Sequence, residues 1–176
     1  MQRASRVPDH QCEVTVTDTS YLRSIREQVV QRHIAAEEDG DVAAVLRTFA
    51  PGRVSYSGDT LGGDLIGDQA VGAMLTAGLA AMSDLKIEIL RLHHAEDAVI
   101  TELRLASTHT ADFDGIPATG RRVTYHMCAV FRFDGADLWQ EAVYYDIATI
   151  KAQLTGQASP PGAPSPMILG LSSCQQ

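Results

Sequence analysis

The order of hydrophobic periodicities is what most narrows the folds open to this chain: helical patterns come first, and four long alternating runs follow. From Thr19 or Ser20, either of which can cap a helix, "YLRSIREQVVQRHIAAEEDG" places Leu22, Ile25, Val29, His33 and Ala36 on one face, with Glu37 at its border. Gly40 ends that pattern, and Asp41 can cap a second helix, "VAAVLRTFA", which stops before Pro51-Gly52. "RVSYS" reads as a short strand, "GDTLGGDLIGD" as a turn region and "QAVGAMLTAGLAAM" as a third helix rich in small residues. "LKIEILRLHH", "AVITELRLASTH", "RRVTYHMCAVFRF" and "DLWQEAVYY" then read as strands, and "IATIKAQL" as a short closing helix. Helices followed by consecutive antiparallel strands predict an α+β fold. A curved antiparallel sheet wrapped around the N-terminal helices makes a cone-shaped α+β barrel with one concave, mostly apolar interior, where small-molecule sites form.

Composition narrows the function classes. The chain has 176 residues and a net charge of -8, which suits one soluble domain and disfavours a phosphate backbone as partner. The expected layout is a flexible arm over residues 1–18, a domain over 19–156 and a tail over 157–176. In that tail "QASPPGAPSP" runs extended, and "MILGL" is expected to dock on an apolar surface. Cys12, Cys128 and Cys174 are widely spaced, with neither a disulfide framework nor zinc-ligand spacing. The glycine-rich stretch lacks the GK[ST] ending of a phosphate loop and does not match GxGxxG. No cofactor, no metal, no nucleic acid and no membrane are therefore expected. With no signal-peptide core and no run of transmembrane length, the expected compartment is the cytoplasm.

The long connection between the second and third strand runs carries a resemblance. "THTADFDGIPATGRR", followed by "FRFDG" and by Asp146 to Leu154, resembles the SnoaL-like polyketide cyclase group of the nuclear transport factor 2 and ketosteroid isomerase superfamily. Such proteins typically show a THTG-type strand end, a G-[IL]-P-x-TG-[RK] loop, an FRF-DG hairpin and a closing Asp with a QLG-like helix end. The likeness spans roughly residues 20–155. It implies the cone fold, a homodimer and a hydrophobic small-molecule substrate. In the family's aldol cyclases a strand histidine and a downstream aspartate do the acid-base work. Aligned through Asp134-Gly135, those positions fall on Ala129 and near Val143, so the aldol cyclase mechanism does not carry over.

Matching Ala129 to the family's pocket histidine sets which side chains point inward. Tyr125, Met127 and Phe131 then line the pocket from one strand. Trp139, Glu141, Val143 and Tyr145 line it from the next, and His109 continues the inward row of Val99, Leu103 and Leu105. His33, which interrupts an apolar helix face, reads either as a hydrogen-bonded core histidine oriented by Glu37 or as a general base held by that carboxylate. Glu141 on an apolar strand reads either as a structural ion pair with Arg104 or Arg132 or as a proton carrier with a raised pKa. Tyr56 and Tyr145 are core or hydrogen-bond donors to a substrate oxygen. His109 either reaches the site or holds the Asp112–Asp114 turn. Asp146 reads as a helix cap.

The catalytic candidates are thus His33, Glu37, Glu141, His109 and Tyr56; the pocket candidates are Tyr125, Met127, Phe131, Trp139 and Tyr145. They suggest a cofactor-independent cyclase, isomerase or epoxide-opening hydrolase acting on a polyketide-like molecule in natural-product (antibiotic) biosynthesis. The alternative is a non-catalytic binding or accessory protein on the same fold.

Overall fold

The computed structural model describes residues 16–58 and 61–157, with side chains from Thr19 onward, so the first fifteen residues and the "MILGL" tail lie outside it. Its elements run α1 (Val16–Glu38), α2 (Val42–Leu46), β1 (Ser55–Gly58), β2 (Leu65–Ile66), α3 (Asp68–Ala81), β3 (Met82–His94), β4 (Ala98–His109), β5 (Arg122–Asp134), β6 (Asp137–Tyr145) and α4 (Ile147–Thr155). This is the expected α+β fold. A six-stranded sheet in the order β2-β1-β6-β5-β4-β3 curves around the helices without closing. All pairings are antiparallel except β1 with β6, which is parallel. Among the described residues no helix is long and apolar enough to cross a membrane.

Strand parity follows the alternation. On β4, Val99, Thr101, Leu103, Leu105, Ser107 and His109 are all buried, and the residues between them are more exposed. On β5, Ala129, Phe131 and Phe133 occupy the same face. The concave face receives α1 through Val29, Val30, His33, Ile34 and Ala36. Two polar anchors hold that helix, one at its middle and one at its C-terminal end. Arg26 donates from Nε to Gly135 O and from Nη1 to Glu96 O, each at 2.8 Å, with its guanidinium 5.3 Å from the Phe133 ring centre. Glu38 Oε1 accepts from Ile87 N at 2.8 Å, just past an irregularity in β3 where Asp84 takes a φ of 52°.

The expected elements shift in three places. The chain is already helical at Val16, ahead of the expected caps Thr19 and Ser20. Helix α2 stops at Leu46 instead of running to Ala50. Phe49 there bridges to Leu138 and Ala50 N donates to Leu138 O at 2.6 Å, which draws the chain into the sheet. The Trp139 reading needs correction. A register shift between Arg132 and Phe133 sets Leu138 opposite Phe133, so Leu138 takes the inward place at 1% exposure, and Trp139 is only half-buried, outside the core.

Gly58 sits where β1 closes on β6. A Cβ there would stand 2.9 Å from Val143 O, so the close approach requires glycine. Phe131, fully buried at the centre of the sheet, is the most consequential apolar side chain. Phe131→Ala is expected to lower the unfolding free energy by about 3–5 kcal/mol, measured by chemical denaturation.

Candidate active site

The inward faces of α1, β1, β5 and β6 converge on His33. Its ring meets Phe49 and Phe131 edge-on, with centroids 5.3 and 5.4 Å away. Nε2 lies 3.0 Å from Glu141 Oε2 and 3.8 Å from Glu37 Oε1. The contact with Glu141 is off the line of a good hydrogen bond, so neither Nε2 nor Oε2 has a well-aligned partner. Nδ1 lies 2.7 Å from Thr48 Oγ1. Side-chain exposure falls inward, from 14% at Glu37 to 3% at Glu141 and 0% at His33.

The electrostatics follow from that enclosure. Burial alone would lower the His33 pKa, but the carboxylates of Glu141 and Glu37 override it and raise it to about 10. Burial raises the Glu141 pKa; Glu37 adds to the rise and the His33 cation opposes it. Tyr56 is held well above the usual phenol range, first by burial and then by the charges of Glu141 and Glu37. Tyr125 is pushed up by burial, Tyr145 and Glu37, in that order. Both phenols therefore stay protonated and can donate hydrogen bonds.

Strand register assembles the rest. Tyr56 is level with Glu141 across the parallel β1–β6 pair, and Phe131 is level with Glu141 on the other side. Tyr145 stands opposite Met127, and Tyr125 opposite Leu105, with the Tyr125 and Tyr145 rings 5.9 Å apart. Six sequence candidates thus gather with His33: Glu37, Glu141, Phe131, Tyr56, Tyr125 and Tyr145. Neither arginine considered for Glu141 pairs with it, since Arg104 binds Glu88 and Arg132 binds Gln140.

His109 stands apart. It is fully buried at the far end of β4, where its Nδ1 accepts from Thr119 N at 3.2 Å and lies 3.0 Å from Thr119 Oγ1. It holds the long connection, through Thr119 rather than through the Asp112–Asp114 turn. Asp112 accepts from Gly115 N instead, and Asp114 pairs with Lys151. Asp146 caps α4, accepting from Ala148 N at 2.9 Å.

No metal is expected from the sequence, where only the His33/Glu37 spacing comes close to a ligand set. Folding adds Glu141, and one donor atom from each of the three lies within 4.8 Å of the others, but the proton that His33 holds competes with any ion for its ring nitrogen. Thr48 also belongs to this centre. No sequence pattern linked it to His33, because it reaches the ring from the turn after α2. A cleft of about 210 Å³ between the end of α1, Leu79 and the start of β3 touches Glu37. A larger cavity of about 470 Å³ at the start of α1, lined by Leu22, Arg26 and His94, touches none of the three.

The model of the SnoaL-like polyketide cyclase family matches residues 27–154, the span that contains every residue of this centre. The chain belongs to that family. No curated protein matches it. Among solved structures, this SnoaL-like chain is similar to TsrD from Streptomyces laurentii, at 20% identity and a TM-score of 0.65, over 75% of this chain and 96% of that one. A protein with a ketosteroid isomerase-like fold from Catenulispora acidiphila DSM 44928, solved with trimethylamine, matches at 19% identity and a TM-score of 0.61, over 75% and 97%. An M. tuberculosis LEH-like epoxide hydrolase matches at 18% and 0.58, over 76% and 92%. At these identities the likeness is one of fold.

The buried pair links stability to pH. The folded chain holds a proton on His33 up to about pH 10, whereas the unfolded value is 6.5, so its contribution is complete below 6.5 and lost as pH rises to about 10. The raised Glu141 pKa acts in the same direction, since the folded state then also binds more protons than the unfolded chain. The melting-temperature advantage of the wild type over the His33→Gln/Glu141→Gln double variant is expected to shrink across that window. Thermal melts at a series of pH values check it.

Proposed function

We propose that this SnoaL-like chain is a cofactor-independent acid-base enzyme, a cyclase, isomerase or epoxide-opening hydrolase, acting on an apolar polyketide-like molecule in natural-product biosynthesis. The observation that carries the reading is the His33 Nε2–Glu141 Oε2 contact at 3.0 Å, sealed from solvent inside an apolar cone beside protonated tyrosines. Two ionisable groups taken from water without a task are a costly arrangement. Glu141, as the carboxylate, removes a proton from a carbon acid or from an attacking water. The His33 imidazolium returns a proton to the oxygen on which charge develops, and the Tyr56 hydroxyl donates a hydrogen bond to that oxygen. After one turnover the pair has exchanged one proton in and one out. Epoxide opening fits the same exchange, and the fold likeness to an epoxide hydrolase makes it a sensible first assay.

A second reading, a small-molecule binding protein, is favoured by one observation: Ala129 and Val143, opposite one another on β5 and β6, stand where the family resemblance places the aldol cyclase acid-base residues. Glu141→Gln separates the two. Assayed against apolar epoxides and polyketide-like ketones, the enzyme reading expects turnover to fall roughly 10²–10⁴-fold with ligand affinity nearly intact. Equal ligand affinity in both proteins with no turnover in either supports the binder.

We also propose a homodimer through the convex face of the sheet. His126, Cys128 and Val130 share that face, and Leu90 and Tyr144, each 41% exposed, flank the same groove of about 400 Å³. Sedimentation equilibrium at micromolar concentration is expected to give twice the chain mass of 19.0 kDa; a monomer there removes the proposal.

A further inference from the structure

The centre has a polar contact on the side of His33 that faces away from the carboxylates. Thr48 Oγ1 lies 2.7 Å from His33 Nδ1 and donates to Val45 O at 2.6 Å. A carbonyl oxygen has no proton to give, so the single hydroxyl proton of Thr48 is committed to Val45. Toward His33 the hydroxyl can only accept, and Nδ1 must therefore carry a hydrogen. The segment that presents Thr48 is held at both ends. Thr48 N also donates to Val45 O at 3.0 Å, and Ala50 N donates to Leu138 O at 2.6 Å. Phe49 and Phe131 limit rotation of the ring from two sides.

We infer that Thr48 is a positioning residue that fixes the tautomer of His33 and makes Nε2, facing Glu141, the only nitrogen at which the ring exchanges protons. The consequence for catalysis rests on the acid-base reading; the placement of the proton does not. The groups facing the ring are Thr48 from the α2 turn, Glu37 from α1, Glu141 from β6, and the rings of Phe49 and Phe131, and Glu37 and Glu141 are the titratable ones with which it is coupled. Both carboxylates act on Nε2, and neither constrains Nδ1. Without the Thr48 hydroxyl, a ring bare at Nδ1 and protonated at Nε2 could still donate to Glu141. That neutral form can accept no proton on its Glu141 side, and so it cannot serve the exchange.

The test is the histidine nitrogen spectrum of the full chain labelled with nitrogen-15, recorded through neutral and alkaline pH, with His33→Gln used to assign the resonances. In the wild type, Nδ1 is expected to stay protonated throughout, and alkaline deprotonation to appear at Nε2. Thr48→Val removes the acceptor with little change of shape. It is expected to move the bare nitrogen of the neutral ring to Nδ1 and to bring deprotonation to lower pH. Thr48→Ser keeps the hydroxyl and is expected to behave as the wild type. Deprotonation still at Nε2 with an unshifted titration in Thr48→Val overturns the inference, as does a serine variant that behaves like valine. If Thr48→Val yields no folded protein, Thr48→Ala is judged by the same resonances. No substrate enters this experiment, so a failure of the acid-base reading in the Glu141→Gln assay leaves its outcome untouched.

Discussion

The contact between His33 and Glu141 joins the helical half of the molecule to the sheet by a charge pair removed from water. Taking two such ions into an interior costs several kcal/mol each, about as much as their attraction returns, so the arrangement persists only where geometry is fixed on all sides. The fold supplies that fixation along α1. Arg26 ties the middle of the helix to the turns at Glu96 and Gly135, His33 meets β6 about two turns further on, and Glu38 ties its end to the backbone of β3. A helix held at three points along its length has little freedom to roll. The His33 ring then stays level with Phe131, Glu141 and Tyr56, which strand register has already set in one row.

Set against the resemblance that the chain carries to the family's aldol cyclases, the interior keeps a histidine and a carboxylate and changes where they come from. The resemblance places a histidine at Ala129 on β5 and an aspartate near Val143 on β6. Here the carboxylate stands two residues earlier on β6, and a shift of two leaves a side chain on the same face of a strand. The imidazole comes from the opposite wall, on α1. Ala129 and Val143 become an apolar pair in the row beside the charges.

Much of this architecture was legible in the sequence. Period-two runs gave β4 and β6 their bounds, and the helical spacing of Leu22, Ile25, Val29 and His33 gave α1 its buried face. Glu141 stood out because a carboxylate on an inward strand position breaks the apolar alternation. Register irregularities left no comparable mark. The shift at Phe133 that brings Leu138 inward and turns Trp139 aside depends on cross-strand pairing, so alternation counted from Ala129 assigns the wrong residue. Thr48 was hidden for a related reason. Its local pattern continues a helix, and only the competing bond from Ala50 N to Leu138 O ends that helix and swings the hydroxyl under His33. His109 had a correct parity but no local signal for its depth, because a strand twelve residues long carries it far from the row at Glu141.

Exposure falls steeply across the three ionisable groups, and the fall sets which of them meets water. Glu141 and His33 are sealed, and Glu37, half-buried one helical turn from His33, lines the cleft at the end of α1. A charge at that position raises the His33 pKa from the solvent side, as Glu141 does from the inside. The imidazole is therefore bracketed at Nε2 by one carboxylate that water reaches and one that it does not. The Phe49 and Phe131 rings cover the flanks of the imidazole, so of the two carboxylates at Nε2 only Glu37 has an edge toward solvent. Glu37 makes the longest of the three polar contacts to the ring, at 3.8 Å, and is the one of the two carboxylates that also lines the cleft.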